Sequence, residues 1–153
     1  MQGAFRVGLR VEDVPAAMRF YGGLGFEEVG VVRDPDEQPM IAILGRDDVN
    51  LIVDALVGPP FPDSERERHT QRGPRGLGVV IGLGVDDLDA TYDYCAAAGC
   101  EITCEPMDEA WGERVFSCLD PFGYEWEFSH PIAEISAEEG TAAVRASWFG
   151  TAG

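Results

Sequence analysis

Val7, Leu9 and Val11 alternate with Arg6, Gly8 and Arg10, the period-two pattern of a strand that buries one face. Val14, Ala17, Met18 and Tyr21 then recur at i, i+3, i+4 and i+7, which is one face of a helix. Asp13 stands at the N-cap, where a short acceptor side chain satisfies free N–H groups. Pro15 falls in the first turn, where a missing N–H costs nothing, and Gly25 supplies the left-handed stop. The pattern returns downstream. Ile81, Leu83 and Val85 alternate with Val80, Gly82 and Gly84; Asp87 caps; Leu88, Thr91, Tyr92 and Cys95 share a face; Gly99 stops.

The recurrence is a true repeat. A shift of 74 residues lays 7–27 over 81–101 without a gap, with identities at Gly8/Gly82, Leu9/Leu83, Val11/Val85, Asp13/Asp87, Ala16/Ala90, Gly25/Gly99 and Glu27/Glu101. Each copy therefore encodes one supersecondary unit. Three strands are predicted after each helix: Glu27–Val32, Met40–Leu44 and Val49–Asp54, then Glu101–Cys104, Arg114–Leu119 and Tyr124–Ser129. Asp120-Pro121-Phe122-Gly123 is a turn, with Pro at its second position and Gly at its fourth. The order is βαβββ twice, an α+β fold. It places modules at about 4–54 and 78–130 within one domain, 1–130, joined by a Pro-, Gly- and charge-rich linker, 55–77. Phe61 in that linker serves either as a lid or as a pin. The tail, 131–153, opens a capping box at Ser136 and Glu139 and predicts a helix over Ala137–Trp148. That helix packs on its own domain or on a second copy.

Composition narrows the function classes. The hydrophobic share of 45% and charged share of 25% are those of a globular chain. No run approaches the roughly 18 apolar residues of a membrane span, and no signal peptide is visible, so a cytoplasmic location is expected. The net charge is −17, and all 11 basic residues are Arg. Nucleic acid and anionic membrane surfaces are disfavoured as partners, because both are bound by neutralising phosphates. The acidity suits cationic or neutral ligands, or serves solubility alone. Cys95, Cys100, Cys104 and Cys118 match no zinc spacing and are expected to be reduced and packed as small apolar residues.

The repeated βαβββ, FYGGLGF after the first helix and WGERVFSCLDPFGYEWEF near the end resemble the vicinal oxygen chelate superfamily. That group includes glyoxalase I, bleomycin-resistance proteins and extradiol dioxygenases. The resemblance covers residues 4–130 and is strongest to the PhnB-like and antibiotic-binding branches. It implies a curved mixed sheet around a cavity, usually in a homodimer. It also implies metal ligands near the start of each first strand and on each last strand. Those positions hold Arg6, Val80, Val53 and Glu127, and only Glu127 can ligate; a register slip would put Asp54 in place of Val53. His69 and His130 lie outside these strands. No metal, cofactor or catalytic residue is therefore expected from the family pattern.

What remains is a cavity lining. Arg6, Gly8 and Arg10 share one face of the first strand with each other, and Gly82 is their counterpart in copy two. Glu125 and Glu127 share a face of the last strand, with Trp111, Phe116 and Met40 as wall candidates and Phe61 as lid candidate. Glycine inside a strand leaves room for a ligand. Aromatic walls stack on flat ligands, and the two glutamates attract a cation. Trp111 is otherwise a structural plug, and Arg6 and Glu127 otherwise an internal ion pair. The reading is a binding protein that sequesters a bulky, partly aromatic or cationic natural product, of the antibiotic-resistance type. The alternative is a metal-independent isomerase or lyase with Glu127 as general base.

Overall fold

The structure is a computed structural model and describes residues 5–150. Its elements run β1 (Phe5–Val11), α1 (Val14–Gly23), β2 (Glu27–Arg33), β3 (Pro39–Arg46), β4 (Val49–Ala55), α2 (Ser64–Arg72), β5 (Val80–Gly84), α3 (Leu88–Ala97), β6 (Glu101–Asp108), β7 (Glu113–Leu119), β8 (Glu125–Pro131) and α4 (Ala137–Phe149). The chain divides into two compact units, one ending at Arg75 and one starting at Gly76. Each holds a four-stranded mixed sheet, ordered β1-β4-β3-β2 in the first and β5-β8-β7-β6 in the second. In both, the first strand pairs parallel with the last, and the remaining pairs are antiparallel. The architecture is α+β, two βαβββ modules.

The local signals act as their chemistry dictates. Asp13 and Asp87 each accept the backbone N–H three residues on, at 2.9 Å, from extended backbone. Gly25 and Gly99 sit at φ +91° and +88°, a region L side chains avoid. Each ends its helix with paired reverse hydrogen bonds: Phe26 N–H to Tyr21 and Gly25 N–H to Gly22 in copy one, Cys100 N–H to Cys95 and Gly99 N–H to Ala96 in copy two. α1 buries Val14, Ala17, Phe20 and Tyr21, so Phe20 takes the core place expected of Met18.

One face of each sheet packs against its helix. In the first unit that face carries Leu9, Val11, Ala42, Leu44, Leu51 and Val53, all buried. In the second, Trp126 stacks on Phe128 at 5.7 Å, Phe128 on Phe116 at 5.0 Å, and Tyr92 of α3 meets Phe116 edge-on at 5.3 Å. Asp120, buried in the β7–β8 turn, accepts from the backbone of Phe122 and Tyr124 and from the Trp126 indole N–H, each at 2.9 Å. The turn thus fastens the aromatic stack.

Two segments differ from expectation. The linker contains α2, capped by Asp63, with Glu65 and Glu67 in its first turn and His69 and Arg72 in its last. The Glu65, Glu67 and Arg72 charges complement the helix dipole. The helix buries no side chain, so it has no apolar period for pattern reading to detect. β6 runs on to Asp108, past Cys104, through two register shifts. It is an edge strand, where Pro106 need not donate to a neighbour.

Asp120→Ala removes an acceptor from three donors, two of them in buried surroundings. It is expected to destabilise the protein by about 3 kcal/mol. Urea denaturation followed by Trp fluorescence measures this.

Candidate functional site

The face of each sheet turned away from its helix holds most of the residues singled out above. On the first sheet Arg6, Gly8 and Arg10 stand opposite Asn50, Ile52 and Asp54. Arg10 Nε lies 3.7 Å from Asp54 Oδ2, and its guanidinium sits over the Phe61 ring, 4.1 Å from the centroid. The linker aromatic is therefore a cover over a buried-edge cation, a contact cation–π attraction favours. Burial pushes the Asp54 carboxyl above its ordinary 3.8, and the Arg10 charge opposes that rise. Arg6 is exposed.

On the second sheet Val80, Gly82 and Gly84 stand opposite Glu125, Glu127 and Ser129, with Ser117 across from Glu127 on the other side. A Cβ built on Gly8, Gly82 or Gly84 meets no atom within 4 Å. These glycines leave open space beside polar groups. Among the described residues no Arg forms an ion pair with Glu125 or Glu127.

Three expected wall residues are elsewhere. Phe116 lies opposite Phe128, fully buried on the helix face, and cannot line the open one. Met40 falls at the register shift between β2 and β3, and its methyl group lies against Gly58. Trp111 stands in the β6–β7 turn under the tail. A Cβ on Gly140 of α4 would come within 3.3 Å of Trp111 Cβ, and Ile132 and Ala133 donate to the Gly112 carbonyl. A groove of about 380 Å³ runs between Trp111, Ile135 and Val144. Trp111 packs against the tail beside that groove.

Among the described residues, neither open face brings three His, Cys, Asp or Glu side chains together at one point. The register places Ile52, not Val53, opposite Gly8, as Glu127 lies opposite Gly82. Val53 faces the core, because the Asp120–Gly123 hairpin is one residue longer than its copy-one counterpart and moves the offset on the last strand. His130 Nδ1 is engaged with the Val85 carbonyl at 2.8 Å, and His69 is exposed on α2. A divalent catalytic ion takes about three nitrogen, oxygen or sulfur donors at one point. Among the described residues only Cys95, Cys100 and Cys118 converge in that number, and they lie on the helix face.

Those thiols are a feature sequence reading missed. All four cysteines are free, and three have their sulfurs within 4.8 Å of one another. Hydrogen bonds from Cys118 and Cys95 hold the Cys100 thiol below its ordinary value, while Cys100 as acceptor raises both partners. The signal was available in the repeat. The 74-residue shift lays Cys95, Cys100 and Cys118 on Tyr21, Phe26 and Leu44, three buried neighbours of copy one.

The sequence model of the Glyoxalase/Bleomycin resistance protein/Dioxygenase superfamily matches residues 3–128. The chain belongs to this superfamily. An uncharacterised protein of Mycobacterium tuberculosis is 30% identical over 137 residues, 89% of this chain and 79% of that protein. A lactoylglutathione lyase of Haemophilus influenzae is 29% identical over 122 residues, 78% of this chain and 86% of that one. Among solved structures, TioX from Micromonospora sp. ML1 superposes with a TM-score of 0.61 at 24% identity, over 83% of this chain and 97% of its own. A superfamily enzyme from Burkholderia phytofirmans PsJN gives 0.64 at 18%, over 82% and 96%. These superfamily structures share the fold. No described helix of this member is long and apolar enough to cross a membrane.

The Asp54 shift carries a sign. A carboxyl whose folded pKa is raised binds its proton more readily in the folded protein, so its contribution to stability falls as pH rises from 3.8 through the folded value. Carbon-detected NMR titration should place the Asp54 midpoint above 3.8. The wild type should lose stability relative to Asp54→Asn across that same interval.

Proposed function

We propose that this superfamily member is a non-catalytic binding protein that sequesters a bulky, partly aromatic and cationic natural product without a metal. The observation that carries the reading is the open face of the second sheet. There Gly82 leaves open space directly opposite Glu127, and Glu125 and Glu127 share the strand with no Arg paired to them among the described residues. Polar groups beside unfilled volume are the ordinary form of a ligand site. Among the described residues no three His, Cys, Asp or Glu side chains converge on that face, and the superfamily's name includes resistance proteins. On the first sheet, Phe61 over Arg10 and Asp54 is a second polar–aromatic surface for the same ligand class. In this reading 1–130 acts as one functional domain.

The active form is a homodimer. Trp148 and Phe149, 73% and 81% exposed, form an edge-on pair at 6.3 Å on the last turn of α4. Exposed aromatic pairs of this kind mark contact surfaces. Sedimentation at micromolar concentration should give about twice the chain mass of 16.6 kDa, and a Trp148→Glu/Phe149→Glu variant should run as a single chain.

Binding is tested by calorimetry against bleomycin and a panel of planar, cationic natural products. Glu127→Gln should weaken cationic members about tenfold or more and neutral ones little, as loss of one charge-assisted contact does. Gly82→Val fills the open space with a strand-favouring side chain. It should abolish binding while the melting temperature holds or rises by a few degrees. Unaltered binding by both variants would place the site elsewhere. A panel member returned chemically changed, with the change lost in Glu127→Gln, would establish the isomerase or lyase reading instead.

A further inference from the structure

Cys95 lies in the last turn of α3, Cys100 follows the Gly99 turn, and Cys118 is on β7. The reversed chain at Gly99 brings Cys100 back over Cys95, and the parity of β7 aims Cys118 at the same point. In copy one the equivalent turn at Gly25 brings Phe26 over Tyr21, 6.5 Å between ring centroids, and Leu44 at the position of Cys118 is also buried. The same backbone thus carries an aromatic and aliphatic cluster in one module and three small soft donors in the other. Large-to-small replacement in a core forfeits contacts unless something fills the place.

We propose that Cys95, Cys100 and Cys118 form a three-thiolate site for a soft monovalent cation, Cu(I), on the helix face of the second sheet. The sulfurs already lie within 4.8 Å of one another. A metal–sulfur bond of about 2.3 Å sets them about 4 Å apart in a trigonal plane, so the site closes by less than about 1 Å. Thiolates select soft ions, and a trigonal set without His or carboxylate suits Cu(I) over Zn(II), which completes a tetrahedron. Cys95 and Cys118 are fully buried, which keeps a water ligand away from two sides, while Cys100 is partly exposed and gives the ion its path in. Each Cu–S bond replaces an S–H bond and sends its proton to solvent, and no electron moves. The site is separate from the ligand face proposed above, since Glu127 and Cys118 project from opposite faces of the sheet.

The test uses the full chain, reduced with a phosphine and held without oxygen. Cu(I) is delivered as its acetonitrile complex and competed against bathocuproine disulfonate. One Cu(I) per chain is expected, with X-ray absorption giving three sulfur neighbours at a single distance. Cys100→Ser should lower the affinity by about 100-fold or more, at or beyond the top of the range for losing an outer-shell partner. Cys104→Ser, on the other face, should bind as wild type does. Cys100 is partly exposed, so its variant is expected to fold; circular dichroism checks this, and the sulfur count in wild type needs no variant at all. The proposal is overturned if the chelator strips wild type and Cys100→Ser alike, or if Cys104→Ser loses as much. It also fails if Zn(II) displaces Cu(I) in a four-coordinate site, or if the thiols take no ion and only form a disulfide in air.

Discussion

The fold depends on how each first helix ends. A residue at φ near +90° reverses the chain at Gly25 and again at Gly99, and the N–H groups beyond it return to carbonyls of the last turn. That reversal fixes where the second strand of each module starts and which side chain folds back on the helix. Replace either glycine by an L residue and the turn must strain or open. The helix would lose its seat on the sheet, and with it the parity that sends one set of residues to the core and the next to the open face. The Asp caps at the other ends of the helices complete the same constraint.

Much of this was legible because it is local. Caps, stops and strand alternation are written in neighbouring residues, and the repeat wrote them twice. What depends on long-range register was harder. Phe116 is assigned to a face only through its partner Phe128, and Val53 gives way to Ile52 only through the length of a hairpin. The extra residue of the Asp120–Gly123 turn is absorbed in the loop, so Glu127 takes the place of Ile52 and a fixed 74-residue offset assigns the last strand to the wrong face. α2 escaped for a different reason. Its helix is stabilised by a cap and by charge placement, not by an apolar stripe. Trp111 was legible as an anchor but not by its partner, since the tail meets it through Gly140, a residue with no side chain to betray the contact.

The two modules share a backbone plan and diverge in chemistry. In the first, the open face pairs Arg10 with Asp54 under Phe61; in the second, the corresponding strand positions are Gly84 and Ser129. The first thus spends its polar groups on each other, whereas the second leaves Glu125 and Glu127 without an Arg partner among the described residues. A carboxylate beside open space interacts with what arrives, while one beside a guanidinium is already satisfied. The burial that lifts the Asp54 carboxyl is the same physical effect working against an ion pair that is only partly shielded. Duplication therefore left one sheet with internal compensation and the other with unspent charge.

Strand geometry also sends neighbouring donors of the second sheet to opposite faces. Ser117 and Cys118 are neighbours in β7, yet they pair across to Glu127 and Trp126 and so project to opposite faces. Glu127, Ser117 and Cys104 lie on the open side, and Cys95, Cys100 and Cys118 collect under α3, with the Trp126 and Phe128 rings on that side of the sheet. Hard and organic cations meet carboxylates, and soft ions meet sulfur. Because a pleated strand cannot exchange its faces without a register slip, and the Asp120 turn holds the register, Glu127 and Cys118 stay on opposite sides of the sheet. The same alternation that buries the core thus divides the chemistry of the module.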